Sequence, residues 1–231
     1  MMLDQLKKRQ KLNESDITFV PGIFSDDVSK TNHPDLPKEW LAYPVSRLLA
    51  AHMQALRLFQ TKIASMPDKD HHVMICMEDD VVLHKDFEDI VQKCATFLKA
   101  QQSPSRLSIG YVNPPVNISF VESVGNLTFS KLHSQKGDPW GTQGYMLNST
   151  YVDAALEKYE KAYKAQPIPV VDETASDAFL YTIPDTQHFI VEPPACIEDN
   201  PTFGSMLGHS HNTQYYNEMI KKYDRSQYFM F

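Results

Sequence analysis

Three consecutive carboxylates, Glu78, Asp79 and Asp80, directly follow an apolar segment and are followed by another. The residues HVMICM at 72–77 predict a short buried strand, so the acids fall at its carboxyl end. Like charges in a row repel one another, and a carboxylate that leaves water without a partner is costly. Carboxylate oxygens are also the ligands that Mg²⁺ and Mn²⁺ prefer. The triplet therefore predicts either a metal site that bridges a diphosphate or a solvated acidic turn.

A second acidic group, Asp172, Glu173 and Asp177, follows the apolar residues IPVV. Aspartate is favoured at the start of a helix, where it caps backbone N–H groups and complements the helix dipole. We therefore expect a helix to begin at Asp172. A carboxylate at such a position also suits a general base that takes the proton of a hydroxyl group. The capping role and the catalytic role are compatible.

The elements that must position these acids alternate between strands and helices. Strands are predicted at residues 17–24, 72–77, 106–112, 127–133, 140–148 and 188–199, and helices at 2–12, 44–63, 85–100, 149–165 and from 172 onwards. This alternation predicts one α/β domain over residues 1–231, with a mixed, mostly parallel central sheet flanked by helices. Ligands of such sheets bind at the carboxyl ends of strands, where the triplet lies. Residues 200–231 form a tail that is predicted to close the site.

Composition excludes some partners and leaves the compartment open. The net charge is −7 without a long basic run, which argues against nucleic acid, and no apolar run reaches the roughly 20 residues of a membrane span. Three cysteines and a charged N-terminus favour the cytoplasm, although a luminal domain excised from a longer chain shares these features. Triplets of the N-glycan acceptor type matter only in a secreted protein, and they stand at Asn13, Asn117, Asn126 and Asn148.

Five segments, taken in order, resemble glycosyltransferase family 25, the lipopolysaccharide and collagen galactosyltransferases. They are PVSRLLAAHMQALRLF, MICMEDDVVL, WGTQGYMLN, IPVVDETASDAF and FIVEPPACIED, and the resemblance spans roughly residues 5 to 205. Ala51 precedes His52 where the family usually has serine. The family's opening apolar strand, which helps to hold the nucleotide base, has no clear counterpart in the first residues of this sequence.

The resemblance implies a Rossmann-type GT-A fold and an inverting hexosyltransferase. Such an enzyme moves galactose or glucose from a UDP-sugar to a hydroxyl group of a glycan, a lipid-linked acceptor or a protein, with Mn²⁺ (or Mg²⁺) as cofactor. Carried over by position, Asp80 binds the metal ion, Glu78 is the other outer acid, and Glu78 or Asp79 contacts the ribose or a metal-bound water. His209 and His211 in the tail are candidates to complete the metal shell, against the alternative of a polar terminus.

The remaining roles follow from the same resemblance. Asp172, with Glu173 and Asp177 beside it, is the expected general base, and Asp172 is favoured because it matches the family's aspartate. His52 is expected either to contact the donor or to be a buried, hydrogen-bonded histidine. The donor pocket is expected to include Trp140, Gly141, Gly144 and Tyr145, with a core role as the alternative for Tyr145.

Two other functional classes fit the same residues. The first is a non-catalytic glycan- or protein-binding domain on the same fold, which the missing opening strand favours. The second is a metal-dependent sugar-nucleotide hydrolase that uses the same acids with water as acceptor. Binding of UDP with Mn²⁺ separates an enzyme from a non-catalytic domain, and product analysis with and without an acceptor separates transfer from hydrolysis.

Overall fold

The computed structural model describes residues 17–22, 43–111, 117–133, 141–165, 176–198, 221–223 and 225–228. Over these residues the chain forms a six-stranded sheet with helices on both faces and a separate two-stranded ribbon. This arrangement confirms the predicted α/β class. The predicted helix at 2–12 lies outside the described residues, and residues 17–22 of the strand predicted at 17–24 pair with no other strand.

The helices and strands are numbered here in chain order. The helices are α1 (Pro44–Ile63), α2 (Phe87–Lys99), α3 (Ser149–Ala165) and α4 (Ser176–Tyr181), with 3₁₀ turns at Lys69–His71 and Arg225–Gln227. The strands are β1 (Val73–Met77), β2 (Val81–Leu83), β3 (Ser105–Gly110), β4 (Ile118–Val124), β5 (Leu127–Leu132), β6 (Gly144–Asn148), β7 (Gln187–Glu192) and β8 (Cys196–Glu198). The helix predicted at 44–63 is confirmed, with Pro44 in its first turn, where a missing N–H costs nothing.

The expected mostly parallel sheet is wrong. The strand order is β1-β6-β3-β7-β5-β4, and of its five pairings only β3 with β7 is parallel. The physical reason is the position of β6. Strands β1 and β3 run in the same direction, but β6 lies between them in the sheet and is antiparallel to both. The strand predicted at 188–199 is also two strands, because the two prolines after β7 carry no N–H to continue the ladder.

One face of the sheet packs against α1, α3 and α4. The apolar stripe of α1, which includes Leu49, Met53 and Leu56, is fully buried there against Leu147 of β6. Helical spacing places Val45 on the same stripe, but its side chain is not among those that the structure describes. Burial of each such side chain is worth about 2 kcal/mol, so this layer fixes α1 over the strands.

The opposite face packs against α2 and the β2–β8 ribbon. Apolar residues at helical spacing along α2 are buried, namely Phe87, Ile90, Cys94, Phe97 and Leu98, and Phe97 stacks on Phe129 of β5 with 4.3 Å between ring centroids. In the ribbon, Val81 pairs with Glu198 and Leu83 with Cys196. The short segment with the acidic triplet is thus fixed at one end by β1 in the six-stranded sheet and at the other end by β2 in the ribbon.

Candidate functional site

The acidic triplet lies at the carboxyl end of β1, as predicted. Strand β1 ends at Met77, Glu78 follows at once, and β2 begins at Val81. The backbone N–H of Glu78 donates to the carbonyl oxygen of Gln143 at 3.1 Å, which fixes the start of the turn. The Glu78 side chain is 23% exposed, whereas Asp79 is exposed to solvent. Glu78 is therefore held between the sheet and solvent.

At this point the charges of carboxylates from separate segments of the chain influence the protonation of Glu78. The pKa of Glu78 is raised to about 8, chiefly by burial and to a smaller extent by the charges of Asp80, Glu198 and Asp177, while a hydrogen bond from Thr142 acts in the opposite direction. Glu198 lies at the end of β8, and Asp177 lies in the first turn of α4. Negative charge therefore accumulates where the turn, the ribbon and α4 meet.

Hydroxyl and amide groups connect these three segments. Thr142 donates a short hydrogen bond from Oγ1 to Oε1 of Glu78, and the same Oγ1 lies 3.3 Å from Oγ of Ser176, the first residue of α4. Gln143 donates from Nε2 to Oε2 of Glu198 at 3.4 Å. The two residues that precede β6 thus hold Glu78, α4 and β8 in one arrangement.

His52 lies beneath the acidic turn and is buried. Its Nδ1 is 2.7 Å from the hydroxyl of Tyr145, and its Nε2 is 3.9 Å from Oε1 of Glu78. Burial, with a smaller contribution from Arg106, lowers the pKa of His52 to about 4, so the imidazole is neutral at pH 7. A neutral, hydrogen-bonded histidine in this place supports Tyr145 and Glu78, which matches the structural alternative considered for His52.

Tyr145 and Gly144 begin strand β6 and form the floor of the region. Tyr145 is fully buried, so its ring faces the protein interior. At Gly144 a Cβ atom would lie 2.5 Å from Sγ of Cys196, and at Gly110 of the neighbouring strand it would lie 2.4 Å from the same sulfur atom. These two glycines are therefore required for the close approach of β8 to the sheet, which brings Glu198 to the acidic turn.

A fully buried arginine lies deeper under the same strands. The guanidinium carbon of Arg106 is 4.0 Å from the ring centroid of Tyr181 and 5.2 Å from that of Tyr145. None of the three guanidinium nitrogens of Arg106 has a hydrogen-bond acceptor among the described residues. Contact with two aromatic faces offsets part of the cost of burying this charge.

The structure brings some of the predicted site residues together and leaves others outside its description. The charges of Asp80 and Asp177 reach Glu78. His52 and Tyr145 lie below this group, with Nε2 of His52 facing Glu78. The predicted base positions Asp172 and Glu173, the pocket residue Trp140 and the tail histidines His209 and His211 lie outside the described residues.

Two residues of the region were missed by the sequence reasoning. Glu198 follows the same rule that singled out Glu78, since it is an acid at the end of a buried strand, in the segment CIE. Arg106 could have been noticed as a lone charge in the otherwise uncharged strand SRLSIG. Within the described ranges no three His, Cys, Asp or Glu side chains lie close enough to hold a metal ion by themselves.

Comparison with protein-family models and with curated proteins finds no relative of this chain. No family model matches the chain, and no curated protein is significantly similar to it. The resemblance to glycosyltransferase family 25 therefore stays a prediction that depends on the five sequence segments. None of the helices in the described part of the chain combines the length and the apolar character that crossing a bilayer requires.

Proposed function

We propose that this protein is a metal-dependent inverting glycosyltransferase of GT-A-like fold, which moves galactose or glucose from a UDP-sugar to a hydroxyl acceptor. One observation carries the proposal: Thr142 and Gln143 connect the acidic turn at the carboxyl end of β1 to α4 and β8, and the charges of Asp177 in α4 and Glu198 in β8 reach Glu78 in this turn. The order of the five family-like segments supports the same reading.

The donor atoms of this region suit Mn²⁺ or Mg²⁺. Glu78, Asp80, Asp177 and Glu198 supply hard carboxylate oxygens, and the pKa of Glu78 is raised by burial and, to a smaller extent, by the charges of the other three acids. A cation at the acidic turn would offset these charges. Ions of this type are commonly held by one or two carboxylates together with substrate phosphates and water, so the protein need not supply a complete shell.

In this proposal Asp80 and Glu78 hold the metal ion. When bound, the ion supplies Lewis-acid stabilisation of the departing diphosphate. The chain itself contributes the orientation of the two acids, because Thr142 holds Glu78 by a hydrogen bond and β2 pairs with β8 directly after Asp80. Asp79, which is exposed beside them, is proposed to contact the ribose or a metal-bound water.

The acceptor hydroxyl requires a base that removes its proton. Asp172, Glu173 and Asp177 remain the candidates, and Asp177 is the member of this group within the described residues. Its Oδ1 accepts from the N–H of Ala178 at 2.8 Å, and its charge reaches Glu78. Positioned general bases are worth on the order of 10²–10⁴ in rate.

The proposal is tested by thermal shift and product analysis with Mn²⁺ and UDP, UDP-galactose or UDP-glucose. We expect a rise in melting temperature that needs both the metal and the nucleotide, because ligands that favour the folded state stabilise it. Asp80→Asn should remove that rise. Asp70→Asn is the matched control, since Asp70 is exposed on the 3₁₀ turn that precedes β1. Asp172→Asn should keep the rise and lose transfer.

The outcomes separate the three functional classes. Transfer of the hexose to an added acceptor supports the proposed enzyme, whereas free hexose with or without acceptor indicates a hydrolase. No stabilisation by any nucleotide with Mn²⁺, in a folded protein, would leave the non-catalytic binding domain. Equal activity of wild type, Asp80→Asn and Asp172→Asn would reject the assignment of these residues.

A further inference from the structure

Strand β4 is the last strand of the six-stranded sheet and exposes apolar side chains. Phe120 is 67% exposed, Val121 42% and Val124 37%, and they lie on a hairpin formed with β5. An edge strand presents unpaired backbone groups, and apolar side chains on it favour pairing with other chains. Proteins usually protect such an edge with charges, prolines, bulges or a covering group. The apolar edge of this hairpin is therefore expected to have a covering group.

Two acceptor-type triplets flank this strand. Asn117-Ile118-Ser119 lies at the start of β4, and Asn126-Leu127-Thr128 lies at the turn that leads into β5. Asn117 and Asn126 are both exposed. Neither side-chain amide takes part in a hydrogen bond with another described residue. The backbone of Asn117 is nonetheless fixed, since its carbonyl oxygen accepts from the N–H of His133 at 3.1 Å.

The triplet at Asn148 has the opposite environment. Asn148 is 6% exposed, and its Nδ2 donates to the carbonyl oxygen of Ser103 at 2.9 Å. Its Oδ1 accepts from the backbone N–H groups of Ser105 at 2.9 Å and Tyr151 at 3.1 Å. A sugar on Nδ2 would break this connection between β3, β6 and α3. Asn148 is therefore a structural residue and an internal negative control.

We propose that Asn126 and Asn117 are N-glycan acceptors, and that their glycans cover the apolar edge at β4. In the reaction, Nδ2 of the asparagine forms a bond to the anomeric carbon of an oligosaccharide and loses one proton. The bond from that carbon to a lipid diphosphate breaks, and the lipid diphosphate leaves. The donor is a lipid-diphosphate-linked oligosaccharide, and the step is redox-neutral. This inference requires that the chain folds in the secretory pathway, as a luminal domain does, and it does not depend on the proposed transferase activity.

The test of occupancy uses the chain expressed behind a secretion signal in human cells and treated with peptide-N-glycosidase. An Asn13→Gln variant, which removes the acceptor triplet outside the described residues, should lose two discrete mass steps on treatment, and peptide mass spectrometry should locate them at Asn126 and Asn117. Asn126→Gln and Thr128→Ala should each remove the same single mass step. Because the two variants change different residues of one triplet, agreement between them shows that the loss does not come from misfolding of one variant. Asn148 should be unmodified in folded protein. Unmodified Asn126 and Asn117, or a glycan on Asn148, would overturn the assignment.

The covering role is tested on the same material by light scattering. Glycosylated protein should stay monomeric over a concentration range in which enzymatically deglycosylated protein associates. Phe120→Ser should restore the monomer after deglycosylation, because it removes the most exposed apolar side chain of the edge. Identical association of the two forms would show that the glycans do not cover this strand.

Discussion

Replacement of Glu78 by glutamine should change how stability depends on pH. In the absence of divalent cations Glu78 is partly buried, and this burial, with smaller contributions from the charges of Asp80, Glu198 and Asp177, raises its pKa from 4.5 to about 8. The unfolded chain releases this proton near pH 4.5, but the folded chain retains it until about pH 8. Its stabilising contribution is therefore full below pH 4.5 and is lost as pH rises through about 8. Glutamine resembles the protonated acid and does not titrate.

The size of the effect follows from the pKa and the exposure of the side chain. At about 1.4 kcal/mol per pKa unit, the rise from 4.5 to about 8 corresponds to roughly 5 kcal/mol. Because the side chain is 23% exposed, solvent reduces this figure, and we expect about 2 kcal/mol. The wild-type free energy of unfolding should thus fall by about 2 kcal/mol relative to Glu78→Gln between pH 5 and pH 8.

Urea unfolding at several pH values in EDTA measures this difference. Glu122→Gln is the control, since Glu122 is an exposed acid on strand β4 and its replacement should leave the pH dependence of wild type unchanged. Adding Mn²⁺ should reduce the loss at pH 8, because a cation stabilises the ionised carboxylate. Parallel pH profiles for wild type and Glu78→Gln would refute the reasoning that repulsion concentrates at the acidic turn.

Three further variants test other parts of the region. Asp80→Ala should abolish Mn²⁺-dependent turnover of a UDP-hexose in a folded protein, and turnover at the wild-type rate would exclude it as a ligand. Gly144→Ala should cost about 1–3 kcal/mol in urea unfolding, because its Cβ would lie 2.5 Å from the sulfur of Cys196, and added Cys196→Ala should recover much of the loss. No recovery would place the strain elsewhere. Tyr145→Phe should cost about 2 kcal/mol, because Nδ1 of His52 would keep only its weaker contact with Sγ of Cys76 at 3.7 Å, and unchanged thermal stability would argue against the bond to Tyr145.

The elements of the fold were predictable where the signal is local. Helix α1 follows from Pro44 and a helical apolar stripe, and α2 from the spacing that begins at Phe87. Strand direction was not predictable, because it depends on β6 returning between β1 and β3, far along the chain. Strand β4 was missed because its side chains are mostly exposed and give no alternation of apolar and polar residues.

The site was predictable only in part for the same reason. The position of Glu78 after a strand follows from the residues next to it, but the prediction that this strand is buried is wrong, because β1 lies at the edge of the sheet and Met74 is its one buried residue. The approach of Glu198 and Asp177 depends on how β8 and α4 pack, and short apolar segments do not encode that packing locally. Whether Tyr145 faced a ligand or the interior depended on which face of β6 packs against α1, and the structure places it in the interior.

The central claim is that the acids at the end of β1 receive a divalent cation delivered with a pyrophosphate. Crystals of the protein soaked with MnCl₂ and UDP, measured for the anomalous signal of manganese, test it most directly. The account predicts an anomalous peak within coordination distance of Asp80 and adjacent to the diphosphate oxygens. A structure with UDP and manganese in the soak, no such peak, and the Asp80 side chain turned into solvent would contradict it.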